Sequence, residues 1–263
     1  MRNASDIPFA ERLTAVGGET GRMIAERDWS TTPLGRIEAW PQSLRTALSL
    51  LLMSPVPMVM LWGEDGVMLY NDAYSVFAGR RHPQLLGSKV REGWPEVADF
   101  NDNVMKVGLA GGTLAYRDQT LTLYRHGHAE QVRMNLDYSP VLDESGEPAG
   151  VLAVVVDTTE RAAAEADAAA QARLLELIAT DAPIEECLVA VAAALERLRP
   201  GMQAALLLMD AETRVIENAY ASALPTSFEA GLEGTSFETL ALGTDSRAAR
   251  AGQPSNRADI GAD

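Results

Sequence analysis

Cysteine is almost absent: Cys187 is the only one among 263 residues. No disulfide can form within the chain, which fits a reducing, cytoplasmic setting. Cys187 falls in an apolar helical pattern and reads as a small core residue. Positive charge is the minority sign, with 22 Lys and Arg against 37 Asp and Glu and a net charge of −15. Such a surface argues against nucleic acid and anionic membranes as partners. Long apolar runs are lacking too. The longest, Ala47 to Trp62, is broken by Ser54, Pro55 and Pro57 and is too interrupted to span a bilayer. No apolar segment of signal-peptide type follows Met1 to Asp6.

Catalytic constellations are missing as well. No GxxxxGK[ST] pattern occurs, and Gly17-Gly18 and Gly111-Gly112 do not make phosphate loops. Histidine is limited to His82, His126 and His128. His126-Gly127-His128 reads either as a metal pair or as an exposed turn. With no cysteine nearby and Glu130 the nearest carboxylate, the turn is preferred. No Ser-His-Asp set stands out, and the carboxylates are scattered. The chain is therefore expected to be non-enzymatic, with no metal.

What is present is an ordered series of short elements. Residues 1–18 read as weakly ordered, followed by a short helix at 19–27. Pro41 suits a first helical position, and Leu44, Ala47, Leu48, Leu51 and Leu52 follow at helical spacing until Ser54-Pro55. Met58–Trp62 and Val67–Tyr70 read as strands around the turn Glu64-Asp65-Gly66. Asn71-Asp72 caps a helix through Phe77. A helix over 101–109 leads to three strands: Gln119–Tyr124, Gln131–Tyr138 and Gly150–Val156. In the second of these, Val132, Met134, Leu136 and Tyr138 alternate with Arg133, Asn135 and Asp137, so one face is buried. The fold class is α+β, an antiparallel sheet with helices gathered on one face.

The last strand passes directly into a helix. Asp157 can cap it, Glu160 three residues on completes a capping-box pattern, and no Gly or Pro interrupts Thr158 to Thr180. Alanine runs favour a continuous rod. A small-residue seam at Ala163, Ala166 and Ala170 suits a parallel homodimer, although Asp167 and Arg173 interrupt the heptad pattern. The other reading is a linker helix packed on its own sheet.

The hairpin Pro57–Tyr70, the helix start Asn71-Asp72-Ala73-Tyr74, the three closing strands and Asp157-Thr158-Thr159 together resemble a PAS sensory domain. The segment Trp29–Leu44, with Arg80 to Pro83 and Leu86-Gly87, is similar to the N-terminal cap of a bacterial subgroup of such sensors. From residue 172, Leu174, Leu175, Leu177 and Ile178 lead to Pro183. A stripe at Ile184, Cys187, Leu188, Val191, Leu195 and Leu198 follows, then strands at 204–209 and 214–220. This part resembles the start of a GAF domain, as do Leu224-Pro225, Phe228 and Ala251 to Pro254. The domains read as 1–44 cap and flexible arm, 45–157 PAS-like, 158–180 signalling helix and 172–263 GAF-like. About 90 residues is short for that last domain, so either the chain is a fragment, the preferred reading, or its second domain is degenerate.

The resemblance implies a cavity. Inward candidates are Met60, Trp62, Tyr70, Phe77, Trp94, Met105, Met134 and Tyr138, with Asn71, Arg133 and Asn135 as polar contacts. Either these side chains fill the core or they surround an unidentified small molecule. No cofactor is expected. The helical middle lacks the cysteine of a flavin–thiol adduct, residues 1–30 lack a bilin cysteine, Gly243 to Arg247 replaces a cysteine found in some GAF relatives, and no histidine lies on the 101–109 helix for haem. The function implied is sensory input and dimerisation in a bacterial sensor histidine kinase, with Asp157, Thr158, Thr159 and Glu160 transmitting the signal to a downstream kinase or other output. The alternatives are regulation of a cyclic-dinucleotide enzyme or phosphatase, and a ligand-free dimerisation scaffold.

Overall fold

A computed structural model describes residues 8–198, 203–221 and 231–236. The chain forms two compact units, Met1–Ala162 and Ala163–Asp263.

The first unit opens with helices α1 (Phe9–Val16) and α2 (Gly18–Glu26). The expected flexible arm is thus corrected from Phe9 onward. Phe9 and Leu13 stand one turn apart and are buried, with the Phe9 ring 6.4 Å from Trp40. A single apolar pair is too short to show a period in the sequence. Trp29 is buried with its ring centroid 5.2 Å from that of Trp40, donating from Nε1 to the Ile24 carbonyl at 2.7 Å. Helix α3 (Gln42–Leu52) buries Leu44, Leu48, Leu51 and Leu52. Pro41 takes its N-cap rather than its first helical position.

Five antiparallel strands follow: β1 (Met58–Trp62), β2 (Val67–Tyr70), β3 (Leu114–Leu123), β4 (Glu130–Leu142) and β5 (Pro148–Asp157). Their order is β2-β1-β5-β4-β3, so β5, the last strand made, lies at the centre of the sheet. Strand β3 starts at Leu114 rather than Gln119. A bulge between Tyr116 and Gln119, with Asp118 at φ 47°, breaks the alternation there.

Helices α4 (Asp72–Ala78), α5 (Val90–Gly93) and α6 (Ala98–Leu109) fill the middle of the sequence. Helix α6 packs on β5 so closely that a Cβ on Gly108 would lie 2.3 Å from Val151 Cγ2. The register pairs Val59 with Tyr70, Leu61 with Met68, Val59 with Ala153 and Tyr138 with Ala153. These side chains share the face toward α6, because strand side chains alternate with a period of two. Met60 and Leu69 point the other way and are fully buried, where α3 packs against β1 and β2.

Helix α7 (Thr159–Ala179) starts in the first unit, and the boundary between the units falls within it. In the second unit, α8 (Ile184–Leu198) precedes an antiparallel pair, β6 (Ala205–Met209) and β7 (Ile216–Ala221). Ile216, Ala219 and Leu232 form a small buried cluster with Leu207 against it. Leu224, Pro225, Phe228, Gly243 to Arg247 and Ala251 to Pro254, on which the expected GAF resemblance partly rests, lie outside the described residues. Among those described, no helix is long and apolar enough to cross a membrane.

Candidate sensory site: a cavity and the root of α7

A cavity lies between the sheet and helices α4–α6, walled by Val59, Leu61, Met68, Tyr74, Phe77, Trp94, Phe100, Asn101, Met134, Tyr138, Ala153 and Val155 among others. Its volume is about 50 Å³. That is room for one or two waters at roughly 30 Å³ each, well below the roughly 300–1,000 Å³ of small-molecule pockets. Aromatic side chains take up the rest. Trp94 donates from Nε1 to the Tyr74 hydroxyl at 3.1 Å, and its ring centroid lies 5.9 Å from that of Phe77. Burial pushes the Tyr74 and Tyr138 phenols up from their ordinary values, so both stay neutral.

Of the residues expected to face inward, Phe77, Trp94, Met134 and Tyr138 line the cavity, and the others do not. Met60 and Trp62 fall on the opposite face of β1, where Val59 and Leu61 take the inward positions. In a strand apolar at every position, parity cannot be read from the sequence. Met105 packs beside Gly66 in the β1–β2 turn. Tyr70 is buried and its hydroxyl meets His82 Nδ1 at 3.0 Å.

The three polar candidates also lie elsewhere. Asn71 caps α4, accepting from Tyr74 N at 2.9 Å. It also accepts from Met58 N and donates to the carbonyls of Leu51, Ser54 and Val56. Asn135 accepts from Asp118 N at 2.9 Å, on the far face of β4, and the Arg133 side chain is exposed. The amide side chain in the wall is that of Asn101, which shares an α6 face with Val104, Met105 and Gly108. That helical spacing was the signal that could have found it.

Ala153 and Val155 carry the cavity wall along β5 to Asp157, where α7 begins. The Asp157 carboxylate accepts from Thr159 N at 3.0 Å and from the Thr159 hydroxyl. It also pairs with Arg125 Nη1 at 2.9 Å. Burial raises the Asp157 pKa, but the bonds from Thr159 and Arg125 prevail and hold the carboxyl below the ordinary aspartate range. Thr158 N donates to the Arg133 carbonyl at 2.8 Å, and Arg133 N donates to the Thr159 hydroxyl at 2.9 Å. Arg133 therefore contributes through its backbone. The Thr158 hydroxyl donates to Asp118 at 2.9 Å.

The expected capping box is replaced by this arrangement. The helix starts at Thr159, so Glu160 is the second helical residue and Arg161 occupies the box position.

Arg125 was not anticipated from the sequence. Its side chain is only 13% exposed and bridges Asp157 to Glu130, whose other oxygen meets His126 Nδ1 at 2.7 Å. The turn 125–128 is thus an ion-pair cluster. Among the described residues, no group of His, Cys, Asp or Glu is arranged to hold a metal.

Residues 53–163 match the family model described as PAS fold. No curated protein matches the chain. Among solved structures, the PAS domain of Bordetella pertussis BvgS is 25% identical, covering 45% of this chain and 88% of that one, with a TM-score of 0.36. A sensory box sensor histidine kinase from Vibrio cholerae is 21% identical over 45% of this chain and 97% of that one, with a TM-score of 0.31. A LOV protein of Rhodobacter sphaeroides is 18% identical over 60% and 81%, with a TM-score of 0.36. Five antiparallel strands in the order 2-1-5-4-3, helices over one face and a helix leaving the central strand complete the assignment: residues 53–163 form a domain of the PAS fold.

Proposed function

We propose that this chain is the sensory input and dimerisation portion of a bacterial sensor histidine kinase, in which α7 carries the state of the PAS domain to the output. One observation carries the reading: the strand that walls the cavity is the strand that anchors α7. Ala153 and Val155 face the cavity, and Asp157, two residues on, bonds Arg125 and Thr159. A shift of β5 reaches the first turn of α7 without passing through a loop. Such a device moves a population between two packings and needs a stimulus that favours one of them.

The chain itself is read as non-catalytic, and the second unit as GAF-like on the strength of α8 followed by the β6–β7 pair. Dimerisation through 158–180 is supported by Leu175 and Ile178, which are 67% and 61% exposed in the single chain. A cytoplasmic location accords with the charge and the single cysteine.

The test is Asp157→Ala in the full-length protein, read as stimulus-dependent autophosphorylation. Loss of the response is expected with the PAS domain still folded and its unfolding midpoint lowered by only about a few degrees. A normal response would sink the relay. For the dimer, Leu175→Glu with Ile178→Glu is expected to give a monomer by analytical ultracentrifugation, and an unchanged dimer would place the interface elsewhere.

A further inference from the structure

We infer that Phe77 is the positioning residue that ties the cavity to α7, acting through the guanidinium of Arg125; the inference rests on the sensory reading above. The Phe77 ring lines the cavity and also carries Arg125, whose Cζ lies 5.1 Å from the ring centroid. Arg125 holds Asp157 through Nη1 and Glu130 through Nη2, while Nε is buried without a hydrogen-bond partner among the described residues. With its edge groups committed to two carboxylates, the guanidinium takes its remaining position from the aromatic surface it rests on. Displacing that ring moves the cation, and with it the ion pair at the root of α7.

Two further contacts favour Phe77 as the moving part. Arg80 N donates to the Arg125 carbonyl at 3.0 Å, so the end of α4 and residue 125 are joined through backbone as well. Trp94, the other aromatic of this wall, carries Arg81 at 4.6 Å, and Arg81 Nε donates to the Tyr124 carbonyl at 3.2 Å. Both aromatics thus bear on the turn after β3. An occupant of drug-like size has to displace part of the wall, because the cavity is well below the roughly 300–1,000 Å³ of small-molecule pockets. Phe77, half-buried on the seven-residue α4, has more freedom than side chains set in the central sheet.

The experiment is amide hydrogen exchange of the whole chain at residues 159–162, comparing Phe77→Leu, Phe77→Tyr and Leu61→Ala. Leu61 lines the same cavity from β1 and serves as the control for lost packing. Phe77→Leu should speed exchange there about fivefold beyond the control, matching a cation–π contact of ~1 kcal/mol, and Phe77→Tyr should restore the slow rate. Should Phe77→Leu not fold, Arg125→Lys keeps the charge, loses the planar face and carries the same expectation. Equal acceleration in Leu61→Ala, or no rescue by Phe77→Tyr, overturns the assignment. Faster exchange together with an unaltered output of Asp157→Ala would remove the sensory reading and leave this coupling standing. Unchanged exchange with an altered output does the reverse.

Discussion

Asn71 and Asp157 stand just before two helices of the same domain, and they are held in opposite ways. Asn71 is 1% exposed and makes five uncharged hydrogen bonds, tying the end of α3, the start of β1 and the first turn of α4 to one amide. Asp157 sits nearer the surface and is held by a cation and by the residue two places on. An amide enclosed by backbone groups has one low-energy arrangement. A partly solvated ion pair has several, separated by little free energy. The first joint is a fixed corner and the second is adjustable, which suits a helix that has to respond.

The sharpest way to break this contrast is at Asn71. Asn71→Ala strips partners from two backbone N–H groups and three carbonyls, and it should destabilise the first unit by about 3 kcal/mol or more in chemical denaturation. Asn71→Asp should be no better, because a carboxylate oxygen would then face those carbonyls. A loss below ~1 kcal/mol in either variant would mean the corner is not fixed.

Asp157→Asn should cost only about 1 kcal/mol, with the change confined to the start of α7. Its acid behaviour sharpens the point. A carboxyl whose folded pKa is depressed adds stability above its unfolded pKa, near 3.9, and loses it as pH falls through the folded value. The wild-type advantage over Asp157→Asn should therefore be constant near neutrality and shrink below about pH 4. Asp72, held down by Thr20 and Glu19 against its burial, titrates in the same direction and is common to both proteins, so it drops out of the difference. The smallest effect is expected at Glu160, which lies outside the cap. Glu160→Ala should change the unfolding free energy by less than ~0.5 kcal/mol, leaving only its charge near the helix N-terminus.

The sequence made the sheet legible where turn chemistry and alternation agreed. β1 and β2 fall where their apolar runs and the Glu64-Asp65-Gly66 turn put them, and β4 follows its Val132–Tyr138 alternation. The site was harder. Four of the eleven proposed cavity residues line it. Two of the misses, Met60 and Trp62, arise because β1 is apolar at every position and its parity is set only by pairing with β2 and β5. Asn71 and Arg133, expected as polar contacts in the cavity, are absent from its wall: the Asn71 side chain bonds backbone groups, and Arg133 bonds the start of α7 through its own backbone. Arg125 carried no local signal at all. Its partners Phe77 and Asp157 are brought to it by tertiary packing, which spacing along the chain does not encode. The same is true of Asp72, whose carboxylate accepts from the N–H groups of Glu19 and Thr20 at the start of α2.

The bulge at Asp118 bears on behaviour at high concentration. Strand β3 borders the sheet, and a straight border strand offers a row of unsatisfied amides and carbonyls on which another molecule can extend the ladder. Here that row is interrupted midway by the left-handed turn of Asp118. The opposite border, β2, is occupied over its first half, where Gly66 and Met68 bond the segment Gly87–Val90. Ribbon-like extension of this sheet from edge to edge is thereby discouraged.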